Sequence, residues 1–445
     1  HATVWTNEAE GVLNDASVWI REGKIVAVGT SEQLRNQLQA RDRLNATIIN
    51  LNGKHLSPGI IDEHSHIALR RGVNEGTQNN TAEVRMADAL NAEDVDIYRQ
   101  LAGGVTCAQL LHGSANPIGG QSALIKLRWG GSAAELRLEN APKHIKFALG
   151  ENVKQSNWGD QKTTRFPQTR MGVEQVYYDA FQRAKEYLAA QEAAKKGGKN
   201  SRMPGRNLEL ETLAEILNGE RHITCHSYVQ SEINMLMHVA DSMGFKVNTF
   251  THILEGYKVA DKIKAHGANA SSFSDWWAYK WEVNDAIPYN GSLLNAMGVV
   301  TGFNSDDAEM ARRLNQEAAK AVLYGGTSEE EAIKFVTLNP ARMLKIDQRT
   351  GSIKVGKDAD LVVWSDHPLS VRAKAEQTWV DGKLRYSTLT DSLLMERNRL
   401  DRQRILLQMQ KATAQGKNGK KLRARNHHYY TCEDLYHEEE QHVTE

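Results

Sequence analysis

Two histidines set two positions apart, His64 and His66, close the run Pro58-Gly59-Ile60-Ile61-Asp62-Glu63-His64-Ser65-His66. Ile60 and Ile61 read as a buried parallel strand, and side chains i and i+2 of a strand point the same way, so both imidazoles share a face at its carboxyl end. A pair so spaced can grip one cation without bending the backbone. Taken alone, an H-x-H is more often two unrelated histidines than a metal site. Its weight comes from Glu151, His226, His252 and Asp306, which close later strand-like runs. Each of these also has a plainer reading: Glu151 as a salt-bridge partner, His226 and His252 as satisfied core histidines, Asp306 or Asp307 as the N-cap of a following helix.

The elements that must position these residues are strands alternating with helices. Strand patterns fall at 59–66, 104–112, 122–127, 143–151, 222–228, 246–253, 269–275 and 298–306, with helical patterns between most of them, at 173–194, 231–243 and 257–266 for example. This is an α/β chain, and residues 57–346 fit a (β/α)8 TIM barrel, distorted because no helix separates the second and third strands. In a parallel barrel all carboxyl ends open on one mouth, where His64, His66, Glu151, His226, His252 and Asp306 would make a site for two divalent metal ions. Imidazoles with carboxylates suit zinc best. Two cations sharing a hydroxide lower the pKa of that water and polarise a carbonyl, and Asp306 is the expected metal ligand and catalytic proton shuttle.

Around the mouth, His112 ends the second strand and precedes a glycine-rich loop that carries Gln121. Tyr228 lies two residues past His226 on the same face, placed to donate to a developing oxyanion. Arg165 and Arg170 lie in the loop after Glu151, where a guanidinium fork could hold a substrate carboxylate. His112, Gln121, Arg170 and Tyr228 are the expected substrate-binding residues. Trp276, Trp277 and Trp281 read as lid or interface packing, and Asp275 as a group behind the site.

Both flanks carry short strands and tight turns. Residues 1–56 alternate strand patterns with turns around a helix-like insert at 31–44, and residues 347–387 hold the run Gly351 to Trp364 and a second hairpin. Neither piece covers its own apolar face, so the two together are expected to form one small composite β-sandwich domain. Residues 388–445 form a charged tail, with an amphipathic helix over 391–412 and a solvated remainder, a homo-oligomer arm being the lesser reading. His427, His428, Cys432 and His437 match no metal-ligand spacing.

Composition limits the partners. Among 445 residues, 55 Lys and Arg balance 55 Asp and Glu, so no broad basic field recruits nucleic acid, and a small-molecule substrate, neutral or zwitterionic, suits the chain better. Three scattered cysteines imply no disulfide framework, and no apolar run is long enough for membrane insertion. The first residues start inside a strand-like pattern, which leaves both the cytoplasm and, with a removed export signal, the bacterial periplasm open.

Over roughly residues 1–387 the chain resembles the amidohydrolase superfamily, in its imidazolonepropionase-like branch. The resemblance rests on Ser57-Pro58-Gly59-Ile60-Ile61-Asp62 ahead of the histidine pair, on Thr337-Leu338-Asn339-Pro340-Ala341, and on Gly351-Ser352-Ile353-Lys354-Val355-Gly356-Lys357-Asp358-Ala359-Asp360-Leu361. It implies a metal-dependent hydrolase of an amide-type C–N bond in a cyclic amide, an N-acyl amino acid or a dipeptide, with a heterocycle deaminase of the same fold as the alternative within enzymes. A non-catalytic binding protein on the scaffold would have lost ligands, and none is missing. Many members bridge two metals with a carboxylated lysine at strand four. Here that run ends Leu149-Gly150-Glu151-Asn152-Val153-Lys154, so Glu151 is the expected bridge and Lys154 the second choice.

Overall fold

The computed structural model describes residues 1–30, 32–34, 46–69, 72–159, 163–197, 202–276 and 279–417. The chain opens with β1 (Ala2–Trp5), β2 (Val12–Arg21), β3 (Lys24–Thr30) and β4 (His55–Pro58). Glu22 and Gly23, both at positive φ (50° and 80°), make the two-residue turn between β2 and β3, the conformation whose twist matches that of paired strands. Next come β5 (Ile60–Ser65), β6 (Val105–Leu110), β7 (Ile118–Gln121), β8 (Ala123–Lys126) and β9 (Lys143–Ala148). Then follow β10 (Arg221–Ser227), β11 (Val247–His252), β12 (Asn269–Ser272) and β13 (Thr301–Phe303). The last strands are β14 (Leu361–Trp364), β15 (Ala375–Val380) and β16 (Lys383–Ser387).

Strands from both ends of the chain join one seven-stranded sheet in the order β16-β15-β14-β4-β1-β2-β3. Its joint is the antiparallel pairing of Leu361 with Pro58 and of Trp364 with His55, over a core of Val4, Ile25, Leu56, Leu361 and Val363. Because β4 runs almost directly into β5, this sheet also fixes where the H-x-H strand begins.

The middle strands form two sheets, β5-β6-β8 and β13-β12-β11-β10-β9-β7. The expectation of eight parallel staves closed into a barrel is corrected here. All eight strand runs are present, but β8 pairs antiparallel with β6 and β7 antiparallel with β9. Parallel neighbours need a long crossover, and the chain between β6 and β8 is spent on a loop and β7 instead of a helix. No ladder closes the ring among the described residues, yet inner side chains of the two sheets meet: Thr251 Oγ1 donates to Glu63 Oε2 at 3.2 Å. At the carboxyl ends Asp306 N–H donates to His64 O at 3.0 Å. Outside, the helices Arg170–Lys196, Leu208–Leu217 and Gln230–Met243 cover β9 to β11 through Phe147, Tyr177, Phe181 and Phe250, all buried.

The helix Thr388–Ala414 buries none of its residues; Leu389, Leu393, Leu400 and Leu407 share one face, but Met395, Ile405, Leu406 and Met409 lie on others, so the expected one-sided amphipathic pattern is absent. Among the described residues no helix is long and apolar enough to cross a membrane. Most of the insert at 31–44, Trp277, and the tail beyond 417 with His427, His428, Cys432 and His437 lie outside the described residues.

Candidate metal centre

His64 and His66 emerge at the end of β5, His226 lies on β10, His252 ends β11, and Asp306 follows β13; all five are buried. Asp306 is the hub. Its Oδ1 lies 3.1 Å from His66 Nε2 and 3.4 Å from His64 Nε2, and its Oδ2 3.5 Å from His252 Nε2. Ligand atoms of His64, His252 and Asp306 all fall within 4.8 Å of one another. The His226 ring stands 4.8 Å from that of His252. Two of these residues sit in the left-handed region, His252 at φ 69° and Asp306 at φ 48°. Such backbone costs about 1–3 kcal/mol and persists only where the surroundings hold it. Asp62 does much of the holding: it accepts from Ser305 N–H at 3.0 Å and from Ser305 Oγ at 2.5 Å, which fixes the residue before Asp306.

The donor set fits a cation. His66 Nδ1 lies 2.8 Å from Leu111 O, so it carries the proton and leaves Nε2 a bare lone pair. Neither ring nitrogen of His226 or His252 has a hydrogen-bond partner among the described residues. A buried polar atom left unsatisfied costs about 1–3 kcal/mol, an expense that ligation removes. Burial, with the charge of Lys146 and neighbouring histidines, holds His64 and His226 well below their ordinary value, and burial takes His252 to about 3. Burial alone would raise Asp306. The contact with His66 and the positive charge of neighbours, Lys146 among them, outweigh it and leave the carboxyl lowered. At neutral pH His64, His226 and His252 therefore offer lone pairs and Asp306 a carboxylate, the ligand chemistry of zinc and related divalent ions.

The other expected residues are placed as follows. Glu151 lies beyond the end of β9, half-buried at the head of a short 3-10 turn, where its N–H donates to Glu282 Oε1 at 2.9 Å. Lys154 faces Glu232 at 3.5 Å. The β9 side chain that reaches the histidines is Lys146, wholly buried, with Nζ 3.0 Å from His64 Nε2. Tyr228 stands against the group, its ring 4.6 Å from His226 and 5.6 Å from His252. His112 uses both ring nitrogens on backbone, accepting from Glu75 N–H at 2.7 Å and facing Gly113 O at 2.7 Å, so it pins two loops together. Gln121 donates to Ala82 O and Thr212 Oγ1, and it pairs with Ile145, toward the amino end of β9 and away from the histidines. Arg165 binds the carbonyls of Gly76, Gln78, Ala115 and Val153, tying loops around the rim. Arg170 is half-exposed and pairs with Glu232 at 2.7 Å.

The segment after β12 supplies residues the sequence did not single out. Lys280 Nζ lies 4.4 Å from the centre of the Tyr228 ring and 3.3 Å from Glu282, and its charge helps to depress His226 and His252. Tyr279 donates to Tyr228 Oη at 3.0 Å. Trp276 stacks on Phe273 at 4.6 Å while Trp281 is exposed, and Asp275 accepts from Lys320 at 2.8 Å. Asp307 takes the helix-capping role, accepting from the N–H groups of Glu309 and Met310.

With this geometry stand the comparisons with known proteins. The sequence profile described as Amidohydrolase family matches residues 299–386. The crystal structure of an amidohydrolase from Thermotoga maritima MSB8 is 30% identical, with a TM-score of 0.76 over 87% of this chain and 98% of that one. Amidohydrolase tasK of Hapsidospora irregularis is 30% identical over 422 residues, 87% of this chain; the match spans 43% of tasK's length. An imidazolonepropionase of Bacillus cytotoxicus is 23% identical over 414 residues, covering 84% of this chain and 90% of its own.

Proposed function

The chain belongs to the amidohydrolase superfamily, and we propose that within it the protein is a metal-dependent hydrolase of an amide-type C–N bond, in a cyclic amide, an N-acyl amino acid or a dipeptide. The observation that carries this reading is the convergence of His64, His66, His226, His252 and Asp306 as buried donors, the nitrogens of two of the rings having no hydrogen-bond partner among the described residues. The names of the relatives, amidohydrolase and imidazolonepropionase, support the bond class. Two divalent ions, zinc by the softness of the donors, are assigned to these residues. Lys146, and not the expected Glu151, is the strand-four residue that would help to hold them. Addition of carbon dioxide at Nζ, with loss of two protons overall, would turn an ammonium that repels cations into a carbamate with two ligand oxygens. When bound, the ions supply Lewis acidity toward a carbonyl oxygen and lower the pKa of a water.

The chain's own residues do the rest. Asp306 takes the proton from the attacking water and returns it to the leaving nitrogen as the C–O bond forms and the C–N bond breaks, giving a carboxylate and an amine. Tyr228 offers its hydroxyl to the oxyanion. Lys280, 4.4 Å from the centre of that ring, is held by Glu282 as Arg170 is by Glu232, so both cations at the rim are already paired. The test is Asp306→Asn assayed on a panel of N-acyl amino acids, dipeptides and cyclic amides, with metal content measured alongside. Turnover should fall at least about 10²-fold while much of the metal stays. Full activity in the variant removes Asp306 from the chemistry, and release of ammonia from heterocycles in place of a carboxylate moves the enzyme to the deaminases.

A further inference from the structure

Below the metal group the space between the two sheets is filled by polar side chains, where such interiors ordinarily hold branched apolar ones. Glu63, Lys146, Thr251, Ser271 and Asn304 are all buried there. Thr251 Oγ1 is the centre of this layer. It lies 3.0 Å from His64 Nδ1, donates to Glu63 Oε2 at 3.2 Å, and accepts from Asn304 Nδ2 at 3.3 Å. A threonine hydroxyl has one proton and two lone pairs, and these three neighbours use all of them. With its proton committed to Glu63, the Thr251 oxygen can only accept from His64, so Nδ1 must carry the imidazole proton.

We propose that Glu63 is a positioning residue: by accepting the hydrogen bond of the Thr251 hydroxyl at Oε2 it locks His64 in the Nδ1–H tautomer and keeps Nε2 as an electron-pair donor toward a divalent cation. The proposal rests on the reading of His64 as a metal ligand. The Lys146 ammonium, 3.0 Å from Nε2, also requires a lone pair there. That requirement ends once Lys146 is carboxylated, and the Glu63–Thr251 relay then holds the tautomer by itself. Without Glu63 the Thr251 proton is free to turn toward Nδ1, moving the imidazole proton to Nε2 and blocking the ligand position. Asn304 also donates to Ser271 Oγ at 2.8 Å, which keeps the hydroxyl oriented.

The experiment compares Glu63→Gln, Glu63→Leu, Thr251→Val and the double variant Glu63→Leu/Thr251→Val. The zinc dissociation constant is measured by competition with a chromophoric chelator, and ¹⁵N-histidine spectra of the metal-free protein report the tautomer. Glu63→Leu should weaken zinc about 10–100-fold, the usual effect of losing a partner behind a ligand. Glu63→Gln, whose amide oxygen still accepts from Thr251, should stay within a few fold of wild type. The double variant should be no weaker than Thr251→Val alone. Wild-type affinity in Glu63→Leu, an equal loss in Glu63→Gln, or additive losses would overturn the relay. If wild-type protein binds no divalent cation, the metal-centre reading fails first and takes the relay with it. Should Glu63→Leu not fold, Thr251→Ser against Thr251→Val carries the test, since serine keeps the hydroxyl and valine removes it.

Discussion

On the proposed reading, Lys146 is the residue that decides whether the site holds one metal ion or two. A buried ammonium 3.0 Å from a ligand nitrogen competes with a cation, while the same side chain as a carbamate brings two anionic oxygens to that point. Lys146→Met keeps the length and removes the nitrogen. It should lower the metal content from two ions per chain to one or fewer and reduce turnover at least about 10²-fold, with partial recovery when a short-chain carboxylic acid is added to fill the gap. Glu151→Gln, beyond the strand end, should keep both metal and activity; elemental analysis and kinetics of the two variants decide between them. The histidine pair, His226, His252 and Asp306 were legible in the sequence because each closes an apolar strand run. Lys146 was not, because a lysine two residues from a strand end reads as a solvated edge. The signal lay in the alternation: Ile145 and Phe147 point outward to the helices, and their in-between neighbour must face inward.

At the level of the elements, the apolar pattern located all eight inner strands but not their directions. Burial is the same for parallel and antiparallel neighbours, so β8 could not be oriented from its own residues, and the missing crossover helix was the only clue. Nor did the pattern reveal what ties the outer sheet to the inner strands. Lys126, at the end of β8 and wholly buried, reaches Asp358 at 2.6 Å, Asp360 at 3.0 Å and Asp381. Asp381 also receives Arg128 at 2.7 Å. The run Gly351 to Asp360 read as a lead-in to a strand, and it does lead into β14; its aspartates also anchor separate parts of the chain to one another. Replacing Lys126 by Met leaves these carboxylates buried around an uncharged side chain, a change that costs about 3–5 kcal/mol when a buried pair is broken. Urea unfolding of Lys126→Met should show a loss of that order. Lys24→Met, which removes a half-exposed partner of Asp358, should cost no more than about 1 kcal/mol.

For the whole molecule, the balance of buried titrating groups sets the response to acid. Burial takes His112 to about 4 and His144 and His252 to about 3, and holds His64 and His226 well below their ordinary value. A histidine lower in the folded chain than in the unfolded one binds a proton on unfolding, so its contribution to stability falls as pH drops below about 6.5. Asp62 and Glu63 act in the opposite sense. Burial raises them to about 7 and 8, so the folded chain holds their protons where the unfolded one has lost them, and acid favours the fold through these two. Near pH 5.5 five histidines stand against two carboxyls, and unfolding takes up roughly three protons, an upper bound of about 4 kcal/mol per pH unit. The lowered Asp358 and Asp381 contribute stability that is present above their unfolded value and lost only below about pH 4. The metal-free protein should therefore become less stable in urea from pH 7 to 5, well before its surface carboxylates titrate. Zinc, which competes with protons for His64, His226 and His252, should steepen that decline. A flat or rising stability over this interval would mean that these histidines are open to water in the folded chain, and a site built on their buried lone pairs would lose its physical basis.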